Sequence, residues 1–197
     1  MSVNTPVSVI VVTDGDQVAR RTVETAAHNV GARCISASAG NPTALTGEQI
    51  VDLVKKAAHE PVVVMLDDRG YEGQGRGESA LACLARHPDI NILGVLAVAS
   101  NSGFDEGAHV NFSIDRRGKL VDGPVDKLGR TDALLGDELS GDTVELLDSL
   151  NLQVVIGIGD VGKMDGADDF TTGAPLTTKA LREIIRRSGY SNGACGH

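Results

Sequence analysis

The stretch VVVMLDDRGYEGQGRGE, Val62–Glu78, decides the fold. It opens with an uninterrupted apolar run, Val62 to Leu66. A run without polar alternation is the pattern of a strand buried on both faces, and such strands belong to sheets covered by helices on each side. Asp67 and Asp68 follow at once, then Gly70, Gly73, Gly75 and Gly77 with Arg69 and Arg76 interleaved, leading into a helical pattern near Glu78. The strand therefore ends in a polar, glycine-lined mouth. In open α/β sheets ligands sit outside the carboxyl ends of the strands, where glycines let backbone N–H groups approach an anion at a helix N-terminus. Arg69, Gly70, Gly73, Gly75, Arg76 and Gly77 are accordingly a candidate anion-binding loop. The plainer reading is a long turn whose glycines only supply positive φ.

Upstream, Val7–Val12 is a second continuous apolar run, ending in Thr13-Asp14-Gly15-Asp16. Val18, Thr22, Val23, Ala26, Ala27 and Val30 then recur at helical spacing, with Gly31 as the stop. Cys34–Ala39 reads as a short strand broken by Gly40-Asn41-Pro42, and Thr46 with Gln49 forms a capping box for a helix that buries Ile50, Leu53, Val54, Ala57 and Ala58. Downstream, a helix from Glu78 to Arg86 ends at His87-Pro88-Asp89, and Ile90–Ser100 is another buried strand. The β-α alternation implies parallel pairing with right-handed crossovers. It breaks at His109–Ile114 and Lys119–Val121, which flank Asp115-Arg116-Arg117-Gly118 as a hairpin. Residues 122–141 are irregular and read as a lid or interface loop, followed by a helix over Asp142–Leu150, a strand over Gln153–Ile158 and a terminal helix over Thr177–Arg187. The expected fold is α/β: a single three-layer domain over residues 7–189 with a mostly parallel, Rossmann-like sheet and a β-hairpin insertion, between tails at 1–6 and 190–197.

A net charge of -9 on 197 residues argues against nucleic acid or an anionic lipid surface as a direct partner, because phosphate recognition needs a concentrated basic face. No apolar run approaches the ~18–20 residues that span a bilayer, and MSVNTPVS lacks the regions of a signal peptide, so synthesis in the cytoplasm without export is expected. Cys34, Cys83 and Cys195 are odd in number and widely spaced, which fits reduced thiols.

Asp14, Asp16, Asp67, Asp68 and Asp160 all follow apolar strands, so a parallel sheet places them along one edge. Carboxylates within a few ångströms repel unless a cation or protons intervene, and Mg²⁺ or Ca²⁺ is the natural resolution. Phosphoryl-transfer enzymes and topoisomerase-primase-like nucleases use acidic strand ends of this kind, which sets an enzyme reading beside a binding one. The spacing Asp67-Asp68-Arg69-Gly70 departs from the D-x-D-x-x-G of that nuclease fold and no His lies nearby, so the balance falls against an enzyme. The bland alternative is a set of solvated carboxylates capping turns.

Gly157-Ile158-Gly159-Asp160-Val161-Gly162 matches G-x-G-x-x-G literally. A dinucleotide fingerprint also needs a helix after the glycines and a later strand carrying an acid. Polar loop follows here instead, so the expectation is a turn around Asp160.

Taken together, VTDGD at Val12–Asp16, RCISASAGNPT at Arg33–Thr43, VMLDDRGYEGQGRGE at Val64–Glu78, GVLAVAS at Gly94–Ser100, SIDRRG at Ser113–Gly118 and GIGDVGKM at Gly157–Met164 resemble the stage V sporulation protein AE family, in its soluble form, from about Val7 to Tyr190. The resemblance implies a role beside the other stage V sporulation A proteins, which form the channel that moves calcium dipicolinate into spores and out at germination. It implies a peripheral component at the spore inner membrane, an accessory or signal-relay subunit, and it supplies no catalytic residues. A sensor binding an anion or calcium dipicolinate is compatible with that role, and self-association is left open.

Overall fold

In the computed structural model the described residues are 5–69, 75–100, 107–131, 136–140, 146–150 and 152–191. The strands are β1 (Val7–Val12), β2 (Arg33–Cys34), β3 (Val62–Met65), β4 (Ile90–Val98), β5 (Phe112–Ile114), β6 (Leu120–Val121) and β7 (Val155–Ile158). They form one sheet in the order β2-β3-β1-β4-β7-β5-β6, parallel except for the antiparallel β5-β6 hairpin. The central strands are apolar on both faces because both faces are covered. Ile10, Val12, Val63, Met65, Leu96 and Ile156 pack on one side with α1 (Gln17–Asn29) and α4 (Pro175–Arg187). Val9, Val11, Val62, Val64, Val95 and Ala97 pack on the other with α2 (Gly47–Lys55) and α3 (Arg76–Arg86). This is the three-layer, Rossmann-like arrangement with its hairpin.

Register carries the fold toward a site. Val12 stands opposite both Met65 and Leu96, and Leu96 opposite Ile156, so four parallel strands finish level with one another. The pairing runs slightly past the strands: Thr13 N–H donates to the Leu96 carbonyl at 3.1 Å, and Thr13 Oγ1 accepts from Val98 N–H at 2.9 Å.

Several boundaries differ from the sequence expectation. The strand expected over Cys34–Ala39 is only Arg33–Cys34, followed by a 3-10 turn, Ser36–Ser38. Ser38 is the reason: its hydroxyl donates back to the Ile35 carbonyl at 2.7 Å and accepts from Met65 N–H at 2.8 Å, so a side chain replaces the next rung of the ladder. Helix α3 starts at Arg76, two residues before Glu78, with Gly75 as its N-cap. Of the helix expected over Asp142–Leu150, only the 3-10 turn Leu147–Leu150 lies among the described residues. The described parts of 122–141 are tied into the fold. Asp160 N–H donates to the Lys127 carbonyl at 2.8 Å, and Ala108 and Leu139, both fully buried, form a two-residue antiparallel bridge. Cys34 and Cys83 are free thiols, and burial pushes Cys34 up to about 12, which holds it as the unreactive thiol.

Candidate functional site

The level strand ends bring Asp14, Asp16, Asp67 and Asp160 into one cavity of about 270 Å³, which Thr13, Asn41, Ser100, Lys127 and Lys163 also line. Each carboxylate arrives by a different local device. Asp16 is the N-cap of α1, its Oδ1 accepting from the Val18 and Ala19 N–H groups at 2.8 Å each, while Oδ2 accepts from Lys163 Nζ. Asp67 prolongs β3: its N–H donates to Thr43 Oγ1 at 2.8 Å and its carbonyl accepts from Thr43 N–H at 2.8 Å. Its carboxylate accepts from Gly15 N–H at 3.2 Å and Arg69 N–H at 2.9 Å. Gly15 has to be glycine for that approach, since a Cβ there would lie 2.5 Å from the Gly40 carbonyl oxygen.

Asp14, like Asp67, is buried at the wall of this cavity, 8% exposed. Its Oδ1 accepts from Asp16 N–H at 3.2 Å, and its Oδ2 has no hydrogen-bond partner among the described residues. Burial first, then the neighbouring charge of Asp16, with Asp67 and Asp160 contributing, pushes its pKa up to about 8. Near neutral pH this carboxyl therefore holds a proton unless a cation takes the proton's place.

Lys163 already supplies one cation. Its Nζ donates to Asp16 Oδ2 and to Asp160 Oδ1, both at 2.9 Å. Burial disfavours the ammonium, but the bonds to Asp16 and Asp160 outweigh it and hold the lysine above its ordinary range. Burial likewise raises Asp16, and the Lys163 bond with the helix amides outweighs it, so that carboxylate sits below its ordinary value. The backbone is bent to place this lysine. Met164 (φ 46°) and Asp165 (φ 55°) both occupy the left-handed region, which costs non-glycine residues free energy. Met164 is fully buried as an anchor, and Asp165 pairs with Arg116 at 3.3 Å.

The glycines of the G-x-G-x-x-G serve close packing. A Cβ at Gly159 would lie 2.6 Å from the Gly129 nitrogen, and one at Gly162, where φ is +77°, 2.3 Å from Thr22 Oγ1. The chain leaves β7 through a turn around Asp160 into a 3-10 turn, Met164–Gly166.

Asp68 does not join the other four. It points to the opposite side of the strand end, where its carboxylate accepts from Gly77 N–H and from Glu78 N–H at 3.0 Å, the free amides of the first turn of α3. A Cβ on Gly75 would lie 2.1 Å from Asp68 Oδ1, which explains that glycine. Two amides of that helix N-terminus, Gly77 and Glu78, are thus engaged by an internal carboxylate. Asp68, Arg69, Gly75 and Arg76 line a second cavity of about 520 Å³ with Pro42, Ala44, Leu45 and Ala80 in its walls. Gly70 and Gly73 lie outside the described residues.

Sequence reasoning missed Lys163 and Thr43. Lys163 stands three residues after Asp160, but that spacing pairs charges by rule only on a helix and this segment is a turn, so the signal was weak. Thr43 carries no local signal, because its role depends on a loop folding back onto β3.

Among the described residues no helix is long and apolar enough to cross a membrane. Searches of curated proteins and of solved structures find no match to this chain. The model of the family described as stage V sporulation protein AE1 matches residues 8–188, and the chain therefore belongs to the stage V sporulation protein AE family.

Proposed function

We propose that this protein is a peripheral component of the sporulation machinery that moves calcium dipicolinate into spores and releases it at germination. In this reading it is an accessory or signal-relay subunit at the spore inner membrane, acting with the other stage V sporulation A proteins. Family membership supports a role in sporulation. The observation that carries the finer reading is the convergence of Asp14, Asp16, Asp67 and Asp160 on one small cavity, with one oxygen of the buried Asp14 left unpartnered among the described residues. Four carboxyl groups face Lys163 and Lys127, and a hard divalent cation that displaces the Asp14 proton would engage several of their oxygens at once, as Ca²⁺ does with carboxylate and hydroxyl ligands. At about 270 Å³ the cavity is smaller than the ~300–1,000 Å³ of sites for drug-sized ligands, so an ion or an ion with a compact chelator suits it.

The adjoining cavity favours an anion-sensing role in the same protein. Arg69 and Arg76 both line it, its walls include Pro42, Ala44 and Leu45, and a flat aromatic carboxylate needs that pairing of cationic and apolar surface. An Mg²⁺-dependent phosphoryl-transfer enzyme would draw on the same carboxylates with Lys163 as the anion partner. Spores carrying Asp14→Asn with Asp67→Asn test the accessory reading. The accessory reading expects reduced dipicolinate content or delayed release with the protein still present at the membrane. Normal content and normal release reject it. Flotation of the isolated protein with anionic liposomes is expected to fail, since partners, and not lipid, recruit a chain of net charge -9.

A further inference from the structure

Away from the strand ends, three segments meet at the surface beside the second core layer. Ala108 and Leu139 exchange both backbone hydrogen bonds, 3.0 and 2.9 Å, which sets His109 next to Glu138. The 3-10 turn Leu147–Leu150 brings Asp148 to the same point, anchored by Leu147, which is 2% exposed. Asp148 Oδ1 accepts from the His109 backbone N–H at 3.0 Å, and its Oδ2 stands 2.8 Å from His109 Nδ1. Glu138 Oε1 stands 3.8 Å from that same ring nitrogen, and its other oxygen accepts from Gly107 N–H at 3.3 Å. One ligand atom from each residue lies within 4.8 Å of the other two.

We infer that His109, Glu138 and Asp148 form a surface binding site for a borderline divalent metal ion of the zinc class, distinct from the strand-end carboxylates. The ligand chemistry selects the ion: one imidazole nitrogen with two carboxylates suits Zn²⁺ and its neighbours, whereas Ca²⁺ and Mg²⁺ prefer all-oxygen sets. An ion pair alone leaves the set incomplete. Glu138 Oε1 is beyond hydrogen-bond reach of the imidazole, and the two carboxylates share one ring between them. Asp148, Glu138 and the nearby Asp137 surround the ring with negative charge, so this point attracts cations. A divalent ion that displaces the ring proton satisfies both carboxylates at once and accepts water in its open positions. The backbone bridge and the buried Leu139 and Leu147 fix the three ligand positions beforehand, so binding orders little.

The test is calorimetric titration of Zn²⁺ into the full-length chain carrying Cys195→Ser, which removes the thiol of the C-terminal tail. One Zn²⁺ per chain is expected. His109→Gln and Asp148→Asn should each weaken binding by about tenfold or more, at least the loss seen when a supporting group of a metal site is removed. Asp160→Asn in the strand-end cavity should leave the affinity unchanged. Both site substitutions fall on half-exposed or exposed side chains, and a thermal melt of each variant checks its fold. Absence of stoichiometric uptake by the chain with its three ligands intact overturns the inference. So does uptake that survives His109→Gln, or that is lost with Asp160→Asn instead.

Discussion

Lys163 and Asp16, 147 positions apart in sequence, are joined at 2.9 Å across the mouth of the sheet. The same ammonium holds Asp160 at 2.9 Å, so the chain's own lysine sits between carboxylates from β1 and β7. Replacing it with methionine keeps the stem and removes the charge. Lys163→Met is expected to lower the melting temperature of the metal-free protein and to enlarge the rise produced by Ca²⁺, because the ion then faces uncompensated carboxylates. A Ca²⁺ response smaller than that of the unmodified protein would make Lys163 a ligand-binding group and not a competitor of the cation.

Asp14 makes the stability depend on pH. Its folded pKa of about 8 lies above the ordinary value of 3.8, so the native state binds the extra proton between those limits. Stability attributable to this group is therefore intact below about pH 4, falls as pH rises toward 8, and is fully lost above it. Asp14→Asn removes the penalty, which is on the order of a few kcal/mol above pH 8. Melting curves at pH 5 and pH 9 check this: the variant should gain relative to the unmodified protein at pH 9 and gain little at pH 5. Equal shifts at both values contradict it.

Asp68 and the cavity carboxylates separate cleanly. Asp68→Ala strips two amides of α3 of their acceptor and is expected to cost about 0.5–2 kcal/mol, the usual loss for a helix cap. Its Ca²⁺-induced melting shift should match that of the unmodified protein. Loss of that shift in a folded Asp68→Ala variant would return Asp68 to the metal group.

Gly15→Ala tests the close approach that seats Asp67. The added methyl meets the Gly40 carbonyl oxygen at 2.5 Å, so backbone must move, at a cost of about 1–3 kcal/mol. Urea unfolding measures it, and a neutral substitution would show that the loop around Gly40 yields freely.

Much of this was legible in the sequence. Unbroken apolar runs such as Val62–Leu66 announce strands covered on both faces, and runs ending in aspartate announce an acidic edge. What periodicity cannot carry is the side of the edge each carboxylate takes. Asp67 and Asp68 are adjacent, and the alternation of an extended chain sends one to the cavity and the other to α3. Partners from distant loops, Thr43 on Asp67 and Ser38 on Met65, are tertiary events with no local pattern, and the Ser38 bond is what shortens β2.

Thermal unfolding under Ca²⁺ titration tests the central claim most directly, comparing the unmodified protein with Asp14→Asn and with Asp67→Asn. A cation that binds only the native cavity stabilises it by RT ln(1 + [L]/Kd), so the melting temperature should climb with the logarithm of Ca²⁺ above Kd, and the climb should vanish in both variants. Calcium dipicolinate should extend the climb beyond that of Ca²⁺ alone. A flat response in the unmodified protein, or an equal climb in all three chains at constant ionic strength, would contradict the account.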